Sequence, residues 1–230
     1  MEIIPGVHLI EGIYAHCYLV DGPELILIDT GIPRKTKKIL RYITDTLQRT
    51  PMDLKTILLT HCDIDHIGNA RELRSITGAE IAAYPQDADI IAGKKIRQTS
   101  QRGMRILFKL LRLFLQVTPF PVDKIIDEGD TIAGLTVLHM PGHTPGSIAL
   151  YDSKRKVLFI GDRLGCSHGI VQGPSKSVTW DIGQAYRSIE KLRNLNFMVL
   201  LCGHGELLKS NASAKVRQLI TKINENKTTR

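Results

Sequence analysis

The chain has 230 residues, 31 of them Lys or Arg and 23 Asp or Glu, for a formal net charge of +8. With 43% hydrophobic and 23% charged residues it is neither disordered nor fibrous, and its length suits one large domain. Aromatic residues, at 5%, offer little for stacking on bases; the positive excess suits nucleic acid, anionic lipid or an acidic small substrate, and composition does not choose among them.

Strand-like segments come first, over 7–10, 17–20 and 25–29. Pro33 then opens a predicted helix reaching about Arg49, with Ile39, Leu40, Ile43 and Leu47 at helical spacing. A buried strand is predicted over 55–59 and a helix over 67–76, with Gly78 at the position of a C-terminal glycine. A strand over 81–84 follows, and Pro85 suits the first turn of another helix. The stretch 93–121 is basic and partly apolar. After it come strands over 124–126, 135–139, 147–151 and 157–160, a helix capped by Asp181 and reaching Leu195, a strand over 197–201, and a last helix from Ser210 whose polar tail, from Asn224, is expected to fray. Strands and helices alternate in both halves, which places the chain in the α/β or mixed class.

The first residues have no basic, apolar and small-residue tripartite pattern, so no signal peptide is expected. The longest apolar-rich stretch, 106–117, is broken by Lys109 and Arg112 and is too short to span a bilayer. Cys17, Cys62, Cys166 and Cys202 show no CxxC spacing and read as four thiols in a reducing cytoplasm.

The most informative pattern is the distribution of His and Asp. Thr60-His61-Cys62-Asp63-Ile64-Asp65-His66 follows a predicted strand and supplies four potential ligands in six residues. Imidazole and carboxylate suit zinc, iron and manganese. A loop leaving a strand can aim such groups at one point, which the alternating side chains of the strand itself cannot do. His143, in Pro141-Gly142-His143-Thr144-Pro145-Gly146, Asp162, after Gly161, and His204, between Gly203 and Gly205, also stand at predicted strand ends beside glycine. Singly, such a histidine is more often a surface or packed residue. Four such places in one chain point to a metal centre.

These motifs, together with Leu27-Ile28-Asp29-Thr30-Gly31, resemble those of the metallo-β-lactamase superfamily, especially its glyoxalase II-like and lactonase-like hydrolases. The resemblance implies an α+β fold, an αββα sandwich of two facing mixed sheets with helices outside, formed by a single domain over 1–230 with a basic amphipathic cap insertion at about 93–121. It implies that His61, Asp63 and His143 hold a first divalent metal ion, that Asp65, His66 and His204 hold a second, and that Asp162 bridges them. Asp29 matches a position that supports the ligands. The superfamily's usual His-x-His-x-Asp-His cluster has Asp63 in place of its second histidine here. Zinc is the expected metal, but the extra carboxylate makes the first site more anionic and shifts preference toward iron or manganese. The expected reaction is metal-assisted attack of water on a thioester, ester or lactone, with the second metal or Asp65 assisting the leaving group. Flavodiiron oxidoreductases carry a carboxylate at the same point, and RNA nucleases share the metal core; these are the alternative readings.

Between residues 93 and 121 stand Lys94, Lys95, Arg97, Arg102, Arg105, Lys109 and Arg112 and no acidic residue, which leaves 24 basic against 23 acidic residues elsewhere. Arg102, Arg105, Lys109, Arg112 and Gln116 form a polar stripe on a helix whose remaining arc is apolar. A cap helix with a solvated basic stripe, a lid for an anionic substrate with an acyl part, a dimer contact and a membrane-surface helix all fit this pattern. No nucleic-acid partner is expected. Among the remaining histidines, His168 stands six residues after Asp162 in a glycine-rich loop and is a candidate acid or substrate contact.

Overall fold

The structure is a computed structural model that describes residues 1–228; the side chains of Arg102 and Arg105 and of 226–228 lie outside the described residues. The chain divides into two compact units, residues 1–97 with 106–126, and 98–105 with 127–230.

The first unit is built on a seven-stranded sheet: β1 (Glu2–Ile4), β2 (Val7–Ile10), β3 (Cys17–Val20), β4 (Leu25–Ile28), β5 (Leu54–Leu58), β6 (Glu80–Ala83) and β7 (Lys124–Ile125), hydrogen-bonded in that order. β1 to β4 run antiparallel, and β4 to β7 pair in parallel. Leu-Ile-Leu-Ile in β4 is buried throughout, the continuous apolar run of a strand covered on both faces. The parallel crossovers carry α1 (Thr36–Arg41), which continues through a wider π turn over Tyr42–Thr46, then α2 (Ile64–Ile67) and α3 (Ala70–Thr77), then α4 (Pro85–Ile91). α5 (Arg102–Phe114) lies between α4 and β7 in the chain. Ile39, Ile43, Leu73 and Ile91 from these helices join Leu25, Leu27, Ile57 and Ile81 in one core.

The helix expected over 67–76 is instead two helices, and the reason is local. A Cβ on Gly68 would lie 2.4 Å from Pro33 N and 2.6 Å from Gly31 O, so the loop after β4 presses directly on this backbone. Asn69 then leaves helical geometry, and its side-chain amide donates to Thr30 O at 2.6 Å and Ile32 O at 2.8 Å while accepting from Lys35 N at 2.7 Å. The helix expected from Pro33 begins at Thr36. Gly78 ends α3 with φ 74°, as the sequence predicts.

The second unit has a five-stranded sheet in the order β14–β11–β10–β9–β8, formed by β8 (Thr131–Ile132), β9 (Leu135–His139), β10 (Ile148–Asp152), β11 (Val157–Gly161) and β14 (Val199–Cys202). Only the β11–β14 pair is parallel. A separate hairpin joins β12 (Gly165–Ser167) and β13 (Ile170–Gln172). α6 (Ile182–Glu190) and α7 (Ala212–Thr228) complete the unit. α7 continues through Asn224 to Thr228, past the point where fraying was expected; residues 229–230 lie outside the described residues. Ile189, Val216 and Ile220 of these helices pack with Leu158, Ile160, Phe197 and Leu200. Four short strands, β1, β8, β12 and β13, have no counterpart among the sequence predictions.

Asp181 caps α6: its carboxylate accepts from Gln184 N at 2.9 Å, as the sequence predicts. Asp181→Ala is therefore expected to cost about 1 kcal/mol, read as a lower midpoint in urea unfolding with an unchanged slope.

Candidate metal centre

In the first unit the candidate ligands lie beyond the carboxyl ends of the parallel strands, the usual position for sites in open α/β sheets. β4 is followed by Asp29, a buried residue with φ 58°. Its Oδ1 accepts from Thr60 N at 2.8 Å, and its Oδ2 accepts from Thr60 Oγ1 at 2.7 Å and bonds His66 Nδ1 at 2.8 Å. Thr60 Oγ1 also bonds His61 Nδ1 at 2.9 Å. A hydroxyl has one proton, and here the carboxylate takes it. His61 Nδ1 must then be a donor to Thr60, and His66 Nδ1 a donor to Asp29. Both imidazoles are thereby held in the tautomer that leaves Nε2 with its lone pair, the form that ligates a metal. The two rings are fully buried, with centroids 4.0 Å apart, and ligand atoms of Asp29, His61 and His66 lie within 4.8 Å of one another.

Asp63 leads into α2, with an oxygen 3.7 Å from His61 Nε2. Two donors at bonds of about 2.0–2.2 Å on one tetrahedral ion stand roughly 3.3–3.6 Å apart, so this pair is close to a ligand spacing. Asp65 is half-buried in the same turn as His66. Cys62 lies between these ligands and is buried. Burial first, then Asp87 and Asp63, push its thiol well up, so the sulfur stays protonated; its N–H donates to Asp87 Oδ2 at 2.9 Å. The donor set is imidazole and carboxylate, which fits a divalent ion of the zinc, iron or manganese type.

Arg97 is a residue of this cluster that sequence reasoning missed. It reads as one more cation of the basic segment, yet it is buried, and its Nε and Nη2 donate to Oδ1 and Oδ2 of Asp63 at 2.7 and 2.8 Å. On its other side the guanidinium carbon stands 4.9 Å from the ring centroid of Phe108 in α5. Burial alone would lower the Arg97 pKa, but the charge and hydrogen bonds of Asp63 outweigh it and hold the guanidinium above its ordinary value. The carboxylate that Asp63 adds is paired with a fixed positive charge. No spacing rule marks Arg97. The available signal was that a carboxylate replacing a buried histidine needs a cation.

In the second unit, the parallel pairing of β11 with β14 sets Gly161 opposite Cys202, and Gly203 N donates to Gly161 O at 2.9 Å. Asp162 and His204 therefore leave adjacent strand ends, with Asp162 Oδ2 3.5 Å from His204 Nε2. His143 is buried in the loop after β9. That loop is pinned to α6: Ser188 Oγ donates to Pro141 O at 2.7 Å, and Asp181 N donates to Gly142 O at 2.9 Å. Gly142 has φ 139°, and a Cβ there would lie 2.4 Å from Ala185 backbone, so this site requires glycine. Arg163 is fully buried and donates to Met140 O at 3.5 Å.

His168 has a different setting from the one its sequence position suggested. It is exposed at the tip of the β12–β13 hairpin, where His168 and Gly169 have φ 50° and 68°, the left-handed pair of a type I′ turn. Its observed work is to shape that turn, whose backbone N–H groups hold the Glu206 carboxyl below its ordinary range.

The family profile of the metallo-β-lactamase superfamily matches residues 11–204, running through both units. The hydroxyacylglutathione hydrolase GloC of Haemophilus influenzae is 28% identical over 89% of this chain and 90% of its own. The human acyl-coenzyme A thioesterase MBLAC2 is 28% identical over 84% of this chain and 74% of its own. A crystal structure of a metallo-β-lactamase family protein from Thermus thermophilus superposes with a TM-score of 0.73 at 21% identity, covering 99% of this chain and 81% of that one. The fold is thus the α+β metallo-β-lactamase fold, and the homologues include hydrolases.

Two substitutions test the geometry. Asp29→Ala removes the acceptor that orients His66 and is expected to weaken metal affinity about 10–100-fold in a chelator competition. Arg97→Gln leaves the Asp63 charge buried, and is expected to cost roughly 3–5 kcal/mol in denaturant unfolding of chelator-treated protein, with part recovered in Asp63→Asn/Arg97→Gln.

Proposed function

Because the chain belongs to the metallo-β-lactamase superfamily, we propose that it is a binuclear metal-dependent hydrolase of thioesters, esters or lactones, with thioesters the first class to test. The observation that carries this reading is the locked tautomer of His61 and His66, set by Asp29 and Thr60. Histidines kept for packing have no need of a buried carboxylate to expose Nε2. The names of two relatives, a hydroxyacylglutathione hydrolase and an acyl-coenzyme A thioesterase, support the substrate class.

In this reading His61, Asp63 and His143 would hold a first divalent ion, Asp65, His66 and His204 would hold a second, and Asp162 would serve both. The chemistry such ions would supply is activation of water near neutral pH and polarisation of the carbonyl oxygen. The chain's own groups do the rest. Asp29 and Thr60 keep the imidazoles from rotating. Arg97 holds Asp63 in one orientation and offsets its charge, which returns the preference toward zinc, with iron and manganese as the alternatives. Asp65 carries a proton toward the leaving group. His168 is given no part, since an exposed hairpin tip serves the turn. The substrate is a small molecule with an anionic part and an acyl part, and the protein works in the cytoplasm. Among the described residues no helix is long and apolar enough to cross a membrane.

The test is metal content of protein purified without added metal, together with a screen of thioesters, lactones and phosphodiesters and an oxygen-consumption assay. Thioester hydrolysis lost on chelation and restored by zinc is the expected result. Asp162→Ala is expected to lower kcat at least 100-fold with the fold retained by circular dichroism; full activity in that variant would sink the binuclear scheme, and oxygen consumption without hydrolysis would favour the redox alternative.

A further inference from the structure

α5 sits the opposite way round from an ordinary surface helix. Leu113, Ile106, Leu110, Phe114, Leu107 and Leu111 follow one another around a single arc of roughly 160° at 3.6 residues per turn, and this is the exposed arc. Phe114 is 78% exposed, Leu113 77%, Ile106 62% and Leu110 56%. The opposite side faces the protein body, with Phe108 against Arg97. Arg112, expected on a solvated basic stripe, is half-buried and turned inward, donating to Val117 O at 3.1 Å and to Ile90 O and Ile91 O at 3.4 Å. The helix is tethered by its polar side and displays its apolar side. Ile96, just before it in the chain, is 75% exposed as well. An exposed apolar patch this continuous marks a binding surface.

We propose that the outer face of α5 docks on a bilayer surface rich in anionic lipid. The charge around the patch selects that occupant. Lys109 is exposed beside Leu113 on the wheel, α5 has no acidic residue, and Lys94 and Lys95, which pair with Asp89, are exposed next to Ile96 in the chain; Arg97 and Arg112 are turned inward and take no part. A second copy pairing through the same face would set Lys109 of each copy at the rim of the contact with no acid on α5 to meet it. An anionic bilayer offers both what the leucines and Phe114 need and what the cations need.

Sedimentation with vesicles tests this on the full chain. Expected is binding to mixed phosphatidylcholine and phosphatidylglycerol vesicles, little binding to phosphatidylcholine alone, and weakening by salt. Lys109→Gln should weaken the partition about fivefold. The triple variant Leu110→Ser, Leu113→Ser, Phe114→Ser keeps every charge and should lose more than about tenfold, with helical content and metal content unchanged. Equal binding by the triple variant would reduce the effect to net charge and overturn the proposal. So would the absence of binding to anionic vesicles, or a dimer in light scattering that the triple variant dissolves while the wild type ignores vesicles.

Discussion

A buried carboxylate can be held in a protein interior only if its oxygens are fully used, and Asp29 satisfies this by binding three groups from other parts of the chain. Thr60 N, Thr60 Oγ1 and His66 Nδ1 converge on it from beyond β5 and from α2. The left-handed backbone at Asp29 and the loop that follows bring Gly31 against Gly68 and Thr30 against Asn69. The break between α2 and α3, the entry to α1 and the orientation of two imidazoles all trace to that one residue. It ligates no metal in the proposed scheme, yet it decides which nitrogens do.

Charge is handled differently a few residues further on. Asp63 takes the place of the second histidine in the superfamily motif that this cluster resembles, and a second buried anion beside His61 would be costly on its own. Arg97 answers it with a fork of two hydrogen bonds, and Phe108 covers the guanidinium. Asp63 is therefore a rigid carboxylate whose charge is matched. It also gains a mechanical link, since the residue against the guanidinium belongs to α5.

The candidate cluster of His and Asp was conspicuous because its polar side chains stand directly after apolar runs, and the strands at 7–10, 17–20 and 135–139 have the buried or alternating character that sequence can show. Asp181 as a cap and Gly78 as a stop were legible for the same local reason. What escaped were features set by distant partners. The break at Gly68 depends on Gly31 and Pro33, and the burial of Arg97 depends on Asp63, 34 positions earlier. The orientation of α5 was ambiguous, because an apolar arc wider than one contact needs can dock either way; Arg112 settles it by reaching the carbonyls at the end of α4. Strands of two or three residues, such as β8 and β12, carry too little pattern to be seen.

The four cysteines have a practical consequence. Cys17, Cys62, Cys166 and Cys202 are all buried and in no disulfide, and burial is the leading cause raising each thiol above its ordinary value. Thiolate is the form that reacts with electrophiles, so the native chain is nearly inert toward maleimides while folded. A single cysteine introduced at Leu113, on the exposed arc of α5, becomes the one reactive handle without removing any native residue elsewhere. A polarity-sensitive fluorophore attached there reports directly on what that helix meets.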